Sequence, residues 1–247
     1  MTDVYPTLTW YNVFIAGLFL FINVIISNKL RLGIGKSIVI AGIRCIVQLT
    51  LMGMVLGYIL KEKNPYLVFF LTFIMVFLSA CETVYSKSQW VFKGMFPTSF
   101  IATLFSTSIV GIIGVRYALH EQPFWTPEYF IPTIGLLLGF TSGAMAVAIH
   151  TCLHYIRVHM GQIETYISFG ATRKEALSHI TKESIRISLL PVINQMSITG
   201  SIVIPGVLAG QIMNGIPMEY AVLYQIIITF LITSSTSLGV TIAVLVK

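Results

Sequence analysis

The sequence predicts an all-α polytopic membrane protein with about seven transmembrane helices, and two observations support that fold class. Apolar residues make up 56% of the 247 residues and charged residues only 10%. A soluble domain carries about 25% charged residues, so this composition is typical of a membrane protein. The second observation is that the apolar residues fall into seven long runs, separated by short polar segments.

Each of the seven apolar runs is about long enough to cross a bilayer. A helix rises about 1.5 Å per residue, so roughly 20 residues cover a hydrocarbon core of about 30 Å. The third run is short, and the sixth is interrupted by Pro191, Pro205 and several glycines. We predict one transmembrane domain over residues 1–247. Its spans are 8–27, 38–60, 65–81, 98–119, 129–152, 189–213 and 220–246.

The distribution of Lys and Arg predicts the orientation of these spans. Successive segments between spans lie on opposite sides of the membrane. One side holds 11 basic residues and the other holds 3, while Arg44 lies inside a span. The richer side faces the cytoplasm by the positive-inside rule, so the N-terminus is expected outside and the C-terminus inside. The net charge of +6 is then a topology signal, and nucleic acid is not expected as a partner. The first ten residues carry no basic group, so a cleavable signal peptide is not expected.

A polar stretch at about 155–187 separates the fifth and sixth predicted spans on the cytoplasmic side. It holds eight of the 24 charged residues (15 basic plus 9 acidic). Gly170 is a natural helix stop, and Thr172 with Glu175 forms a capping-box pattern. We therefore predict a bent pair of helices, one ending near Phe169 and one starting at Arg173. Two interpretations remain: an amphipathic helix on the bilayer surface, or an elbow that docks a cytoplasmic protein.

The sixth predicted span is expected to be kinked or discontinuous. Pro205 removes a backbone donor and Gly206 allows close backbone approach. Broken helices at membrane depth are tolerated where they line a cavity, and transporters use them in this way. The nearby amides of Gln211 and Gln225 favour a pathway element over a merely kinked span that packs through small residues.

Three motifs resemble the FetB-like permeases, a family that includes a bacterial iron-export ABC permease and plant aluminium-tolerance membrane proteins. They are GIRCIVQL at 42–49, SFGAT at 168–172, and IPGVLAGQ at 204–211 with the later Tyr224-Gln225 pair. The resemblance covers nearly the whole chain from the second span onward. The chain departs from it at Phe140, where bacterial members often have asparagine, and at Val207-Leu208, where many members have two methionines.

The resemblance implies a permease subunit of an ABC transporter, acting as a homodimer bound to two separate cytoplasmic ATPase subunits. This chain would then be no enzyme and bind no cofactor, with ATP-Mg on the ATPase. The implied cargo is iron or another metal ion, exported from the cell, and the alternative cargo is a sugar nucleotide. The plasma (inner) membrane is the expected location, and an organelle membrane is the alternative. The residues implied for ATPase coupling are Glu164, Phe169, Gly170, Ala171, Thr172 and Arg173, and those for the translocation pathway are Pro205, Gly206, Gly210, Gln211, Tyr224 and Gln225.

Charged residues inside the membrane are a further set of pathway candidates. Arg44 lies roughly 10 Å inside the second span, and Gln48 follows one turn later on the same helical face. Glu82 lies at the cytoplasmic end of the third span, where it could pair with Arg44. The alternative is an arginine that extends its side chain to the interface.

A metal site is a weaker possibility at the end of the fifth span. His150 and His154 are four residues apart, a spacing at which two imidazoles can bind one transition metal, and Cys152 lies between them. The alternative is a pair of interfacial histidines beside a buried thiol.

Two other functional classes fit a chain with seven spans. A receptor would also have an external N-terminus and a cytoplasmic loop between spans five and six, but the broken span favours the permease. A stand-alone secondary carrier would need an acidic residue at mid-membrane, and the predicted spans show none.

Overall fold

The structure, a computed structural model, describes residues 9–62, 64–86, 94–120 and 122–245, and these residues are almost entirely helical. Five-residue π-helical segments, Glu82–Ser86 and Gly114–Ala118, extend the third and fourth α-helices. Within the described ranges there is no β-strand beyond an isolated bridge between Thr199 and Val203. The α-helices are α1 (Trp10–Lys29), α2 (Gly35–Glu62), α3 (Pro65–Cys81), α4 (Met95–Ile113), α5 (Pro127–Val158), α6 (Met160–Ser168), α7 (Arg173–Ile198), α8 (Gly206–Met213) and α9 (Met218–Leu245).

Six helical segments of the described chain are long and apolar enough to cross a membrane. They are α1, α2, α3 with its π-helical extension, α4 with its extension, α5 and α9. The prediction of an all-α polytopic membrane protein is confirmed. Six of the seven predicted spans correspond to these helices, with ends that differ by a few residues.

The remaining predicted span, 189–213, is not one helix, and the prediction that it is kinked or discontinuous is confirmed. It begins in the last turns of α7, which ends at Ile198, and continues in the eight-residue helix α8. Between them Gly200 has a φ of +90°, a left-handed conformation that cannot continue a right-handed helix. Pro205 then lacks the backbone N–H that helical pairing needs. The described ranges thus contain six continuous candidate spans and one discontinuous segment.

The chain divides into two compact units, Met1–Glu62 and Lys63–Lys247. In the first unit α1 packs against α2, and most side chains along both helices are exposed. Phe14, Phe21 and Leu49 are among these exposed apolar groups. Side chains of this kind are suited to contact with lipid or with other apolar helices.

The second unit is built around contacts among α4, α5, α7 and α9. Its central cluster of buried residues is Ala102, Ala144, Met145, Ala148, Cys152, Ile180, Val240, Ala243 and Val244. Small residues bring the helices close together: a Cβ added to Gly239 would lie 2.5 Å from Thr141 Cγ2 and 2.9 Å from Ser106 Oγ. Packing of α9 against α4 and α5 therefore requires glycine at position 239, and small residues of this kind are common between membrane helices.

Candidate functional site

The bent helix pair lies at the position that the sequence predicted. The fifth helix ends at Val158, α6 covers Met160–Ser168, and α7 begins at Arg173. Gly170 lies in the turn between α6 and α7 with a φ of +93°. Only glycine adopts this conformation without strain, so Gly170 sets the bend. We call residues 160–175 the elbow.

A reciprocal cap fixes the start of α7. The Glu175 amide donates to Thr172 Oγ1 at 3.4 Å, and the Thr172 amide donates to Glu175 Oε2 at 2.8 Å. The Thr172 hydroxyl also donates to Glu175 Oε2 at 2.7 Å. These hydrogen bonds from the Thr172 side chain and backbone stabilise the carboxylate and lower the pKa of Glu175. The capping box satisfies amides that a helix start leaves unpaired, so α7 has a defined first turn.

The elbow presents an apolar surface. Phe169 is 85% exposed, and Tyr166 and Ile167 beside it are 60% and 46% exposed. Glu164 and Arg173 are exposed around these three residues, and Ala171 is half-buried. An aromatic and aliphatic surface with charged residues at its edge is typical of a docking site.

The seventh helix joins the elbow to the interior of the second unit. It runs without a break from Arg173 to Ile198 and contains Pro191. Its buried residues are Ala176, Ile180, Ser184, Ser188 and Val192. At about 1.5 Å per residue, Val192 lies roughly 28 Å along the helix from Arg173. Movement at the elbow would therefore reach Val192 through one continuous helix.

A partly open cavity of about 170 Å³ lies where α5, α7, α8 and α9 meet. Gly206 and Val207, the first residues of α8, form part of its wall. The lining residues are Leu136, Phe140, Val192, Gln195, Met196, Thr199, Pro205, Gly206, Val207, Gln225, Ile228, Thr229, Ile232 and Thr233. None of them is ionisable, so the wall is apolar with a few amide and hydroxyl groups.

Gln225 is the most deeply buried polar side chain of the cavity wall, with 9% of its surface exposed. Its Nε2 donates to Thr229 Oγ1 at 3.3 Å. Its Oε1 is buried and has no hydrogen-bond partner among the residues that the structure describes. A buried acceptor without a partner destabilises a fold, so this oxygen carries a cost in stability.

Residues 10–247 match the family described as "Uncharacterised protein family (UPF0014)". The chain belongs to this family. Its relatives include a UPF0014 membrane protein of Synechocystis, which is 31% identical over 83% of this chain and 78% of the relative. No solved structure matches the chain.

Two further relatives have names that refer to metals. The "Probable iron export permease protein FetB" of Escherichia coli is 29% identical over 90% of this chain and 84% of its own. The "Protein ALUMINUM SENSITIVE 3" of Arabidopsis thaliana is 26% identical over 97% and 89%. With six apolar helices and this family membership, the chain is a multi-pass integral membrane protein with a permease-like role.

The structure brings three of the predicted pathway residues together at the cavity: Pro205, Gly206 and Gln225. Phe140 and Val207, where the chain departs from the family pattern, line the same cavity.

Three more pathway candidates of the second unit lie near the cavity in sequence but do not line it. Gly210 and Gln211 lie further along α8, and Gln211 Oε1 is buried without a partner in the described part of the chain. Tyr224 is buried on α9, with its ring centre 6.2 Å from that of Tyr129.

The charged candidates are divided between the two units. Arg44 and Gln48 are exposed on α2 in the first unit, whereas Glu82 begins the π-helical segment after α3 in the second. The pairing of Arg44 with Glu82 stays a prediction.

The described residues give no support to the suggested metal site. His150 and His154 stack with ring centres 6.4 Å apart and planes within 2°, but Cys152 is buried in the apolar cluster with Ala148 and Ile180. Within the described residues, no three side chains from His, Cys, Asp and Glu gather closely enough to hold a metal ion. Positions two apart on a helix face different directions, so the cysteine could not join the histidine pair.

Sequence reasoning missed Thr229 and Thr233, which line the cavity one and two turns after Gln225. Polar residues recur every four positions along this part of α9, at 225, 229 and 233. This period places them on one helical face and was the signal available in the sequence. Gln195 and Met196 on α7 gave no such signal.

Proposed function

We propose that this chain is the permease subunit of an ABC transporter, driven by a separate cytoplasmic ATPase that docks on the elbow. The observation that supports this most is the exposed surface of Tyr166, Ile167 and Phe169, joined to the cavity by one continuous helix. A groove on an ATPase could bind this bend through its aromatic and aliphatic side chains. The ATP-Mg chemistry belongs wholly to the ATPase subunit.

The proposed mechanism converts closure of the ATPase into movement of α7. Closure pulls the elbow at Gly170, where φ is already in the glycine-only region. The rigid first turn held by Thr172 and Glu175 passes the displacement into α7. Beyond Pro191, α7 contributes Val192 to the cavity wall. Its displacement would move that wall relative to α9 and expose the cavity to alternate sides of the membrane.

The proposed transporter contains two copies of this chain and two ATPase subunits, and it exports iron or another metal ion. The name of the Escherichia coli relative supports this cargo and direction. The alternative cargo is a sugar nucleotide. Among the described residues no ionisable side chain lines the cavity, so a metal ion carried through it would need a ligand shell from elsewhere.

ATP-dependent flux from reconstituted vesicles tests the proposal. The full chain is purified with the ATPase that accompanies it and placed in liposomes with ferrous iron on the ATPase side and an iron-sensitive dye within. We expect dye quenching with ATP and none with a non-hydrolysable analogue. Equal quenching by the chain without ATPase and ATP would instead indicate a stand-alone carrier and overturn the proposal.

A further inference from the structure

We propose that the loop between α1 and α2 binds the headgroup of an anionic phospholipid. The loop covers residues 29–36, from the last residue of α1 to the second residue of α2, and we call it the basic loop. Its sequence is KLRLGIGK, in which aliphatic residues at 30, 32 and 34 alternate with basic residues or glycine. The basic loop belongs to the first compact unit, whereas the elbow and the cavity belong to the second. The inference therefore does not depend on the proposed function.

The basic loop is too short to extend far from the membrane surface. Residues 30–34 alone join two helices that are each long and apolar enough to cross a bilayer. An extended chain covers at most about 3.6 Å per residue, so five residues that leave the membrane and return rise no more than roughly 9 Å. The polar layer on each side of the hydrocarbon core is about 5–8 Å thick. The loop therefore lies at the level of the lipid headgroups.

The backbone folds the basic loop back onto the end of α1. The amide of Leu32 donates to the Ser27 carbonyl at 2.9 Å. Arg31 and Gly33 have φ angles of +53° and +72°, and these left-handed residues turn the chain toward α2. The loop is thus held against the last turn of a membrane helix and stays close to the bilayer surface.

The basic loop carries three basic side chains and no acidic one. Lys29, Arg31 and Lys36 are all exposed. No Asp or Glu occurs between Asp3 and Glu62, so no carboxylate lies near these three groups in the sequence. Each Lys or Arg close to an anionic membrane surface strengthens binding about fivefold. The loop therefore favours an anionic headgroup over a zwitterionic one.

Exposed aliphatic side chains lie between the basic ones and favour a lipid over a free phosphate. Leu30, Leu32 and Ile34 are each at least half exposed. Exposed apolar side chains continue from the loop onto both helices, at Ile26 on α1 and Ile40 on α2. A soluble anion would leave these groups in water, whereas the glycerol backbone and acyl chains of a phospholipid would cover them.

A soluble protein is the competing occupant, and the height of the loop disfavours it. A loop that lies among the headgroups presents Leu30 and Leu32 to lipid, so a protein would have to displace lipid in order to bury them. The distribution of Lys and Arg in the sequence predicts that this loop is cytoplasmic. The cytoplasmic leaflet is the one with a negative surface potential, which matches the charge of the loop.

Native mass spectrometry of the delipidated full chain in a non-ionic detergent tests the proposal. The probes are phosphatidylglycerol and phosphatidylcholine with identical acyl chains, titrated separately. We expect the unmodified chain to bind phosphatidylglycerol at least about tenfold more tightly than phosphatidylcholine. Lys36→Gln should weaken the binding of phosphatidylglycerol about fivefold. Lys61→Gln is the matched control, because it removes the same charge from the other end of α2, roughly 38 Å away, and it should leave the binding unchanged.

A second variant covers the case in which Lys36→Gln does not insert correctly, since basic residues also determine orientation. Arg31→Gln changes the loop outside both helices and keeps the two lysines, and we expect the same fivefold loss. The unmodified chain provides a test that needs no variant, because equal binding of the two lipids by that chain overturns the proposal.

Three further outcomes would also overturn the proposal. Undiminished binding of phosphatidylglycerol in both loop variants would place the lipid elsewhere, and an equal loss in Lys61→Gln would show an effect of net charge alone. Displacement of phosphatidylglycerol by an equal concentration of glycerol phosphate, which has no acyl chains, would indicate a site for free phosphate. Loss of a co-purified ATPase in Lys36→Gln, with lipid binding unchanged, would make the loop a protein-docking surface instead.

Discussion

Thr172 and Glu175 cap each other across the first turn of α7. The Glu175 amide donates to Thr172 Oγ1 at 3.4 Å, and the amide and hydroxyl of Thr172 both donate to Glu175 Oε2, at 2.8 and 2.7 Å. The helix that starts at this pair is the one that reaches the cavity. The hydrogen bonds of this pair therefore determine how rigidly the turn at Gly170 is connected to α7.

The capping box predicts a weakening of the elbow in acid. The pKa of Glu175 is lowered by hydrogen bonds from the Thr172 side chain and backbone. The carboxylate therefore stays ionised to a lower pH in the folded protein than in the unfolded chain. The resulting stabilisation is complete above the unfolded pKa of glutamate and is lost as the pH falls through the lower, folded value. The protection factors of the first amides of α7 against hydrogen exchange should therefore fall in that acidic range. Glu175→Gln, which keeps a carbonyl acceptor but does not titrate, should remove this fall in the protection factors.

The left-handed turn at Gly170 predicts that an alanine there destabilises the bend through backbone strain alone. A Cβ at this position would meet nothing within 4 Å, but φ is +93°. The left-handed conformation costs a non-glycine residue about 1–2 kcal/mol. Gly170→Ala should therefore lower the Tm of the purified chain. Gly161→Ala on α6, which has equal space and no positive φ, should leave the Tm unchanged or raise it.

The close approach at Gly239 predicts a larger loss of stability when a methyl group is added. Its Cβ would lie 2.5 Å from Thr141 Cγ2, and overpacking of a core costs about 1–3 kcal/mol. Gly143→Ala on α5 has nothing within 4 Å of the new methyl group and is the matched control. Thermal unfolding of both variants in detergent is the measurement. Equal Tm values would show that α9 does not depend on this contact.

Removal of the two stacked histidines should not change the amount of metal bound to the chain. His150 and His154 have no third ligand within the described residues, and Cys152 is buried in an apolar cluster. The double change to alanine should leave the metal content of the purified chain unchanged, as measured by elemental analysis. A loss of one bound metal ion per chain would contradict the structure's separation of the thiol from the two imidazoles.

Local signals made the elbow predictable from the sequence. A glycine stop at Gly170 followed by a capping box at Thr172 involves only residues within one helical turn of each other, so no tertiary information was needed. The break after α7 was predictable for a similar reason, because Pro205 and Gly206 act on their own backbone. Six of the spans followed from the length of their apolar runs.

The cavity was only partly predictable, because it depends on how four helices meet. Pro205, Gly206 and Gln225 were found from local features, but Gln195 and Met196 face the same space only through the packing of α7 on α9. The burial of Cys152 is likewise a tertiary property. Cys152 lies between two histidines in sequence, and the packing of α5 against α7 and α9 places its side chain in the apolar cluster.

Recovery of an ATPase with the affinity-purified full chain tests the central claim most directly. Phe169→Glu places a charge on the most exposed aromatic group of the elbow, and Asn214→Glu places the same charge on the exposed turn after α8. We expect the ATPase recovered per chain to fall at least about tenfold for Phe169→Glu, which corresponds to a loss of about 1.4 kcal/mol of binding free energy, with no change for Asn214→Glu. Undiminished recovery with Phe169→Glu, at normal membrane insertion, would contradict the account.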